Sequence, residues 1–229
     1  MRNIPVFTCP AGTATLVLQE IPFRGLAYVQ IRGAEPGRLG ELLKDCAAFC
    51  RAAGAERVLA AGHPGLAAYP LYTELWRMRA PRSAVPETDA ALRPLLPETG
   101  EAYRALYNRG MAQVPGAVTC RPEDLPRLLE QGGCYFVYRK SLLLGLGQME
   151  GNRLLSLVAA RPGAGSDVAA ALLSAADAPF FELEVAAQNR RAVALYTRLG
   201  FSFVERTERW VELPPAVGQT DAPVASSES

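Results

Sequence analysis

Three apolar runs follow one another with only a few polar residues between them: "CYFVYRK" (Cys134 to Lys140), "LLLGLGQ" (Leu142 to Gln148) and "RLLSLVAA" (Arg153 to Ala160). Runs of this length with such short breaks predict an antiparallel meander. "VAAALLSAA" then predicts a helix, because alanine and leucine favour that state and Ser166 and Asp167 can cap it. "FFELEVA" (Phe180 to Ala186) predicts a strand. In "NRRAVALYTRLGF" (Asn189 to Phe201), Ala192, Leu195 and Leu199 recur at helical spacing behind an asparagine suited to the helix start. Gly200 permits the left-handed cap that stops this helix, and "FSFVERTERWVEL" (Phe201 to Leu213) alternates as a closing strand. Ahead of the meander, "LRPLLP" predicts a short strand. A helix from Glu98 and Thr99 runs through Tyr103 and Leu106 toward Met111, and "RPEDLPRLLEQGG" predicts a second, short helix stopped by glycine. The expected order is β, α, α, β, β, β, α, β, α, β.

The first 80 residues carry a shorter pattern. "TATLVLQEI" and "GLAYVQIRG" predict paired strands, "GRLGELLKDCAAFCRAAG" an amphipathic helix ended by Gly54, and "ERVLAAG" a strand. "YPLYTELWRM", which bears Tyr72, is expected to be an apolar helix. "RAPRSAVPETD" mixes proline, charge and small residues between two patterned regions and predicts a linker. After Leu213, "PPAVGQTDAPVASSES" has no apolar period and too few large side chains to offset ordering entropy. The expected organisation is therefore an N-terminal half-domain over 1–80, a linker over 81–89, a full domain over 90–213 and a disordered tail over 214–229.

Composition narrows the classes. Hydrophobic residues make up 49% of the 229, enough for a substantial core, and their longest runs fall far short of the roughly 20 residues of a membrane helix. The N-terminus lacks the apolar stretch of a signal peptide, so the expectation is a cytoplasmic protein with no membrane association. Five cysteines without CxxC spacing and a single histidine, His63, argue against a disulfide framework and against a metal site. A net charge of +1 gives no sign of a nucleic-acid footprint.

The element order and the segment "LEVAAQNRRAVALYTRLGF" resemble the GCN5-related N-acetyltransferase (GNAT) superfamily. That family pairs a strand reading L-x-V with a helix N-x-x-A-x-x-L-Y-x-x-x-G-F, matched here at Leu183, Val185, Asn189, Ala192, Leu195, Tyr196, Gly200 and Phe201. The resemblance implies an α/β GNAT fold with a mixed central sheet over 90–213. Residues 1–80 then read as a smaller, degenerate GNAT-like half-domain that packs rather than catalyses, with Tyr72 in the place of the family tyrosine.

By the same resemblance the co-substrate is acetyl coenzyme A (acetyl-CoA), lying between the strands Arg153 to Ala160 and Phe180 to Ala186. Its thioester carbonyl would meet backbone N–H groups near Val158 and Ala159. Asn189 matches the asparagine beside the pantetheine arm, and Tyr196 the tyrosine that protonates the leaving thiolate. The acceptor is the primary amine of a small molecule or peptide, and a homodimer is compatible with the sequence. Read without the resemblance, Asn189, Ala192, Leu195 and Gly200 serve as cap, stripe and stop, and Tyr196 as an amphipathic core residue.

The family's diphosphate loop, Q/R-x-x-G-x-G/A, falls on Ala164, Gly165, Ser166, Asp167, Val168 and Ala169, and only Ala169 agrees. Asp167 would set a carboxylate where diphosphate should sit, so Asp167→Gly is expected to tighten coenzyme A; alternatively Asp167 is only a helix cap. Backbone N–H groups of Gly163 to Ser166, with Arg161 as counter-charge, are expected to take the diphosphate. Glu150, Glu182 and Glu184 are candidates for the general base, with a solvated or edge position as the alternative for each. The competing function is a catalytically silent binding or assembly module on the same fold.

Overall fold

The computed structural model describes residues 5–215, so most of the expected tail, residues 216–229, lies outside the described residues. The described residues form two compact units, one of residues 5–72 with 210–215, the other of Thr73–Arg209. Residues 81–89 carry a 3-10 turn at Arg82–Ala84.

In the first unit, β1 (Val6–Cys9) and β2 (Gly12–Val17) form an antiparallel hairpin, and β2 pairs antiparallel with β3 (Leu26–Ala34) beyond a single helical turn, α1 (Ile21–Arg24). The amphipathic segment becomes α2 (Leu39–Ala52), which buries Leu42, Leu43, Cys46, Ala47 and Cys50 and returns the chain to β4 (Arg57–Ala61), parallel to β3. The apolar face of α2 packs on Ala14, Leu16, Ala27, Val29 and Val58, which is where this unit gains its hydrophobic stabilisation. Cys46 and Cys50 are protonated thiols, burial having pushed them up to about 12 and about 11.

The expected helix around Tyr72 is instead a strand, β5 (Leu71–Pro81). Tyr, Thr, Leu and Trp all suit a pleated surface, and antiparallel pairing with β10 (Phe180–Ala186) from Leu75↔Ala186 to Pro81↔Phe180 supplies the backbone partners that decide the matter.

The rest of the second unit follows the predicted order. β6 (Ala91–Pro94) leads to α3 (Gly100–Met111) and α4 (Leu125–Gln131). β7 (Cys134–Arg139), β8 (Leu142–Glu150) and β9 (Arg153–Ala159) are the antiparallel meander. α5 (Gly165–Ser174), β10, α6 (Arg190–Arg198) and β11 (Ser202–Glu212) complete it. Neighbours run β11-β5-β10-β9-β8-β7-β6, with β9 and β10 parallel.

Helices cover both faces of this sheet. On one face Tyr103 and Leu106 of α3 meet Phe136, Leu146 and Val158. On the other, α5 buries Val168, Ala169, Ala171, Leu172 and Leu173 against Val137, Leu144, Met149, Leu154 and Phe181. The second contact depends on a side chain that is missing: a Cβ at Gly147 would stand 2.4 Å from Leu172 Cδ1 and 2.5 Å from Ser156 O.

Candidate active site

One irregularity opens the sheet. Along β8 and β9 the pairing runs Gln148↔Ser156 and then Met149↔Leu154, so β9 carries one extra residue, Leu155. Such a bulge bends its strand. β9 and β10 are paired only at Arg153↔Glu182 and Leu154↔Leu183, supported by the Glu182 N–H bond to Asn152 O at 3.0 Å. Beyond the bulge they part. Ala160 N–H donates to Leu144 O at 2.8 Å on β8. Strand alternation therefore sends the Val158 N–H toward β8 and the N–H groups of Leu157 and Ala159 into the gap toward β10. The donors facing the gap thus flank Val158, the position to which the sequence pointed.

A cleft of about 780 Å³ fills this gap. Leu157, Val158 and Ala159 form its floor, and Gly163, Gly165 and Ser166 bring in the start of α5. The end of α3 and its following turn contribute Gly110, Gln113, Val114 and Pro115, while Asn189, Ala192, Leu195 and Tyr196 come from α6.

α6 is placed by its own sequence. Asn189 Oδ1 accepts the Ala192 N–H at 3.2 Å, capping the helix, and its Nδ2 has no partner among the described residues. At the other end Gly200, at φ +82°, takes the left-handed conformation that turns the chain into β11. Tyr196 is held by an edge-to-face contact with Phe201, ring centroids 5.8 Å apart. Its hydroxyl has no hydrogen-bond partner among the described residues, and burial pushes its pKa up to about 12. It carries its proton throughout the neutral range.

The first turn of α5 offers unused donors, since its earliest intrahelical bond is Val168 N–H to Ala164 O at 3.0 Å. A Cβ at Gly165 would lie 3.1 Å from Leu195 Cδ2, which sets this turn against α6. Arg191 and Arg198 stand four residues before and three after Leu195, on the same helical face, and both line the cleft, as does Arg190. None of the three arginines has an ion-pair partner among the described residues. Free backbone N–H groups at a helix start and unpaired guanidinium groups lining the same cleft are chemistry that suits an anionic ligand. These arginines escaped the sequence reading. Arginines on a helix usually mark a solvated face, and the available signal was their spacing from Leu195.

Asp167 departs from both expectations. It does not line the cleft: Arg139 Nη2 holds its Oδ1 at 2.9 Å, and Arg139 also bonds Asp89 at 2.7 Å. Nor does it cap α5, whose N-cap residue is Ala164 with no side-chain bond. Ala164, Val168 and Ala169 are buried in the core rather than exposed to the cleft, and Arg161 lies outside the lining.

The three glutamates also lie elsewhere. Glu150 lines a separate cavity with Gln131, Asn152 and Asp177 at the β8–β9 turn. It pairs with Arg153, six residues along β9 from Ala159, or roughly 20 Å at a strand's rise. Glu182 is bound to Arg79 at 2.5 Å. Glu184 is exposed, opposite Arg77.

No protein-family model and no curated protein sequence matches the chain. Solved structures do. A GCN5-related N-acetyltransferase from Sphaerobacter thermophilus aligns over 90% of this chain and 78% of its own, with a TM-score of 0.53 at 16% identity. A tandem GNAT protein from the clavulanic acid biosynthesis pathway aligns over 88% and 78%, TM-score 0.52, 17% identity. A GNAT-family acetyltransferase from Colwellia psychrerythraea aligns over 90% and 83%, TM-score 0.52, 13% identity. The chain has the fold of the GCN5-related N-acetyltransferases. Among the described residues no helix is long and apolar enough to cross a membrane.

Proposed function

We propose that this protein is an N-acetyltransferase that moves the acetyl group of acetyl-CoA to a primary amine of a small molecule or peptide. The observation that carries the reading is the parting of two parallel strands beside Tyr196 and the donor-rich start of α5, all on one cleft. The residues fit the co-substrate: N–H groups of Gly165 and Ser166 with Arg191 and Arg198 suit its diphosphate, and Asn189 Nδ2 can bond the pantetheine arm. The bound thioester supplies the activated acetyl group. N–H groups of Leu157 and Ala159 polarise its carbonyl, and Tyr196, protonated and unpartnered, gives its proton to the departing sulfur. Positioning in the cleft supplies most of the remaining acceleration. Every residue lining the cleft, from Gly110 to Arg198, belongs to the second unit, so this chemistry is assigned to that unit.

Incubation with acetyl-CoA and an amine panel releases free thiol on this reading. Absence of turnover with every amine, together with no thermal shift on adding coenzyme A, would overturn it. A silent binding module is the second reading, favoured by the departures of Ala164 and Asp167 from the family loop. Calorimetric binding of coenzyme A without turnover would support that alternative.

A further inference from the structure

Among the described residues the cleft lining contains no aspartate, glutamate, histidine, cysteine or lysine. Its ionisable groups are Arg190, Arg191, Arg198 and Tyr196, and none accepts a proton near neutrality: the guanidinium groups stay charged, and burial keeps Tyr196 protonated. The charged groups on the surrounding elements do not fill the gap. On α5, Asp167 is taken by Arg139. On β10, Glu182 is taken by Arg79 and Glu184 lies outside the lining opposite Arg77. On β5, Glu74 is bound by Arg206 at 2.8 Å, which holds its carboxyl below the usual range. α3 brings Arg109, next to Gly110 of the lining.

We infer that the acceptor is an amine with an appreciable free-base fraction near neutrality, the α-amino group of an amino acid or peptide, rather than a lysine ε-amine or a polyamine. The inference rests on the acetyltransferase reading of the same cleft. An ammonium ion entering it finds no carboxylate to offset its desolvation, which favours the neutral amine. The free-base nitrogen attacks the thioester carbonyl carbon and the C–S bond breaks. The nitrogen loses one proton to water, the thiolate takes one from Tyr196, and water restores the tyrosine, so amide and free thiol form with no net proton change. With no side chain to remove the first proton, the rate follows the fraction of acceptor that is free base. At pH 7 that fraction is roughly 200-fold larger for an α-amine than for a lysine ε-amine, given pKa values near 8 and 10.4. The lower nucleophilicity of a weaker base offsets part of this.

The test compares three probes with acetyl-CoA: a lysine-free peptide with a free N-terminus, the same peptide N-acetylated and carrying one lysine, and spermidine. The expected result is a kcat/KM at pH 7 at least tenfold higher for the free N-terminus. Each acceptor's pH profile should rise and level off at that acceptor's own pKa. Turnover led by the lysine peptide or spermidine, or an inflection at one pH shared by all acceptors, would overturn this inference while leaving the acetyltransferase reading intact. Turnover with none of them or any other amine would instead fail the reading, and the inference with it.

Discussion

Arg139 Nη2 grips Asp167 Oδ1 at 2.9 Å, so the one carboxylate in the first turn of α5 faces β7 and not the cleft. Asp167→Gly, which on sequence grounds would relieve a repulsion and tighten coenzyme A, should leave its affinity within about twofold. The pair is more than one-third exposed on both sides, so water screens it and its loss should lower the urea midpoint only slightly. Calorimetric titration and urea unfolding of the variant check both. A fivefold gain in affinity would restore the repulsion account.

Tyr196→Phe tests the proton donor. The ring keeps its edge-to-face contact with Phe201, so coenzyme A binding should persist while thiol release slows by about 10²-fold. Equal loss of binding and turnover would make Tyr196 a packing residue.

The same substitution gives a stability signature at high pH. Burial raises the Tyr196 pKa from 10.0 to about 12 in the folded state. Its contribution is therefore complete below pH 10 and is lost as pH rises through about 12, because the unfolded chain gives up that proton first. Wild type should lose about 1 kcal/mol relative to Tyr196→Phe between pH 8 and pH 11, measured by urea unfolding at each pH. Parallel curves for the two proteins would show that the hydroxyl is hydrated.

Local pattern made β7, β8, β9, β10 and α6 legible, since each carries its period, cap or stop within a dozen residues. β5 was not legible, because "YPLYTELWRM" satisfies helical and strand spacings alike and only pairing with β10, about a hundred residues away, chooses between them. The site divides along the same line. Asn189 and Tyr196 sit in a recognisable motif and do line the cleft. Glu150 looked equally available, yet register puts it at the far end of β9 from Ala159, and register is not written in any one segment. The bulge at Leu155 is likewise a property of two strands together.

Gly147→Ala should destabilise the second unit by about 1–3 kcal/mol, because the new methyl meets Leu172 Cδ1 at 2.4 Å and Ser156 O at 2.5 Å. The leucine side chain can move; the backbone oxygen moves only with β9. Urea denaturation should show a lower midpoint. A variant as stable as wild type would mean that α5 can lift off β8 without cost.

Arg191 and Arg198 carry the last expectation. They flank Leu195 on the face of α6 set against the start of α5, and neither is neutralised by a carboxylate among the described residues. A diphosphate at the free N–H groups of Gly165 and Ser166 would lie within their field, so Arg191→Ala and Arg198→Ala should each weaken coenzyme A by about three- to tenfold at low salt. Because the cleft is open to solvent, screening should shrink that loss as ionic strength rises toward 1 M, where the Debye length is only about 3 Å. Arg161→Ala, outside the lining, should change affinity by less than about twofold. Titrations of the three variants at two salt concentrations separate the arginines. If Arg161 matters and the α6 pair does not, the diphosphate lies on the Arg161 side of α5, as the sequence first suggested. If none of them matters at low salt, the backbone donors alone hold the anion.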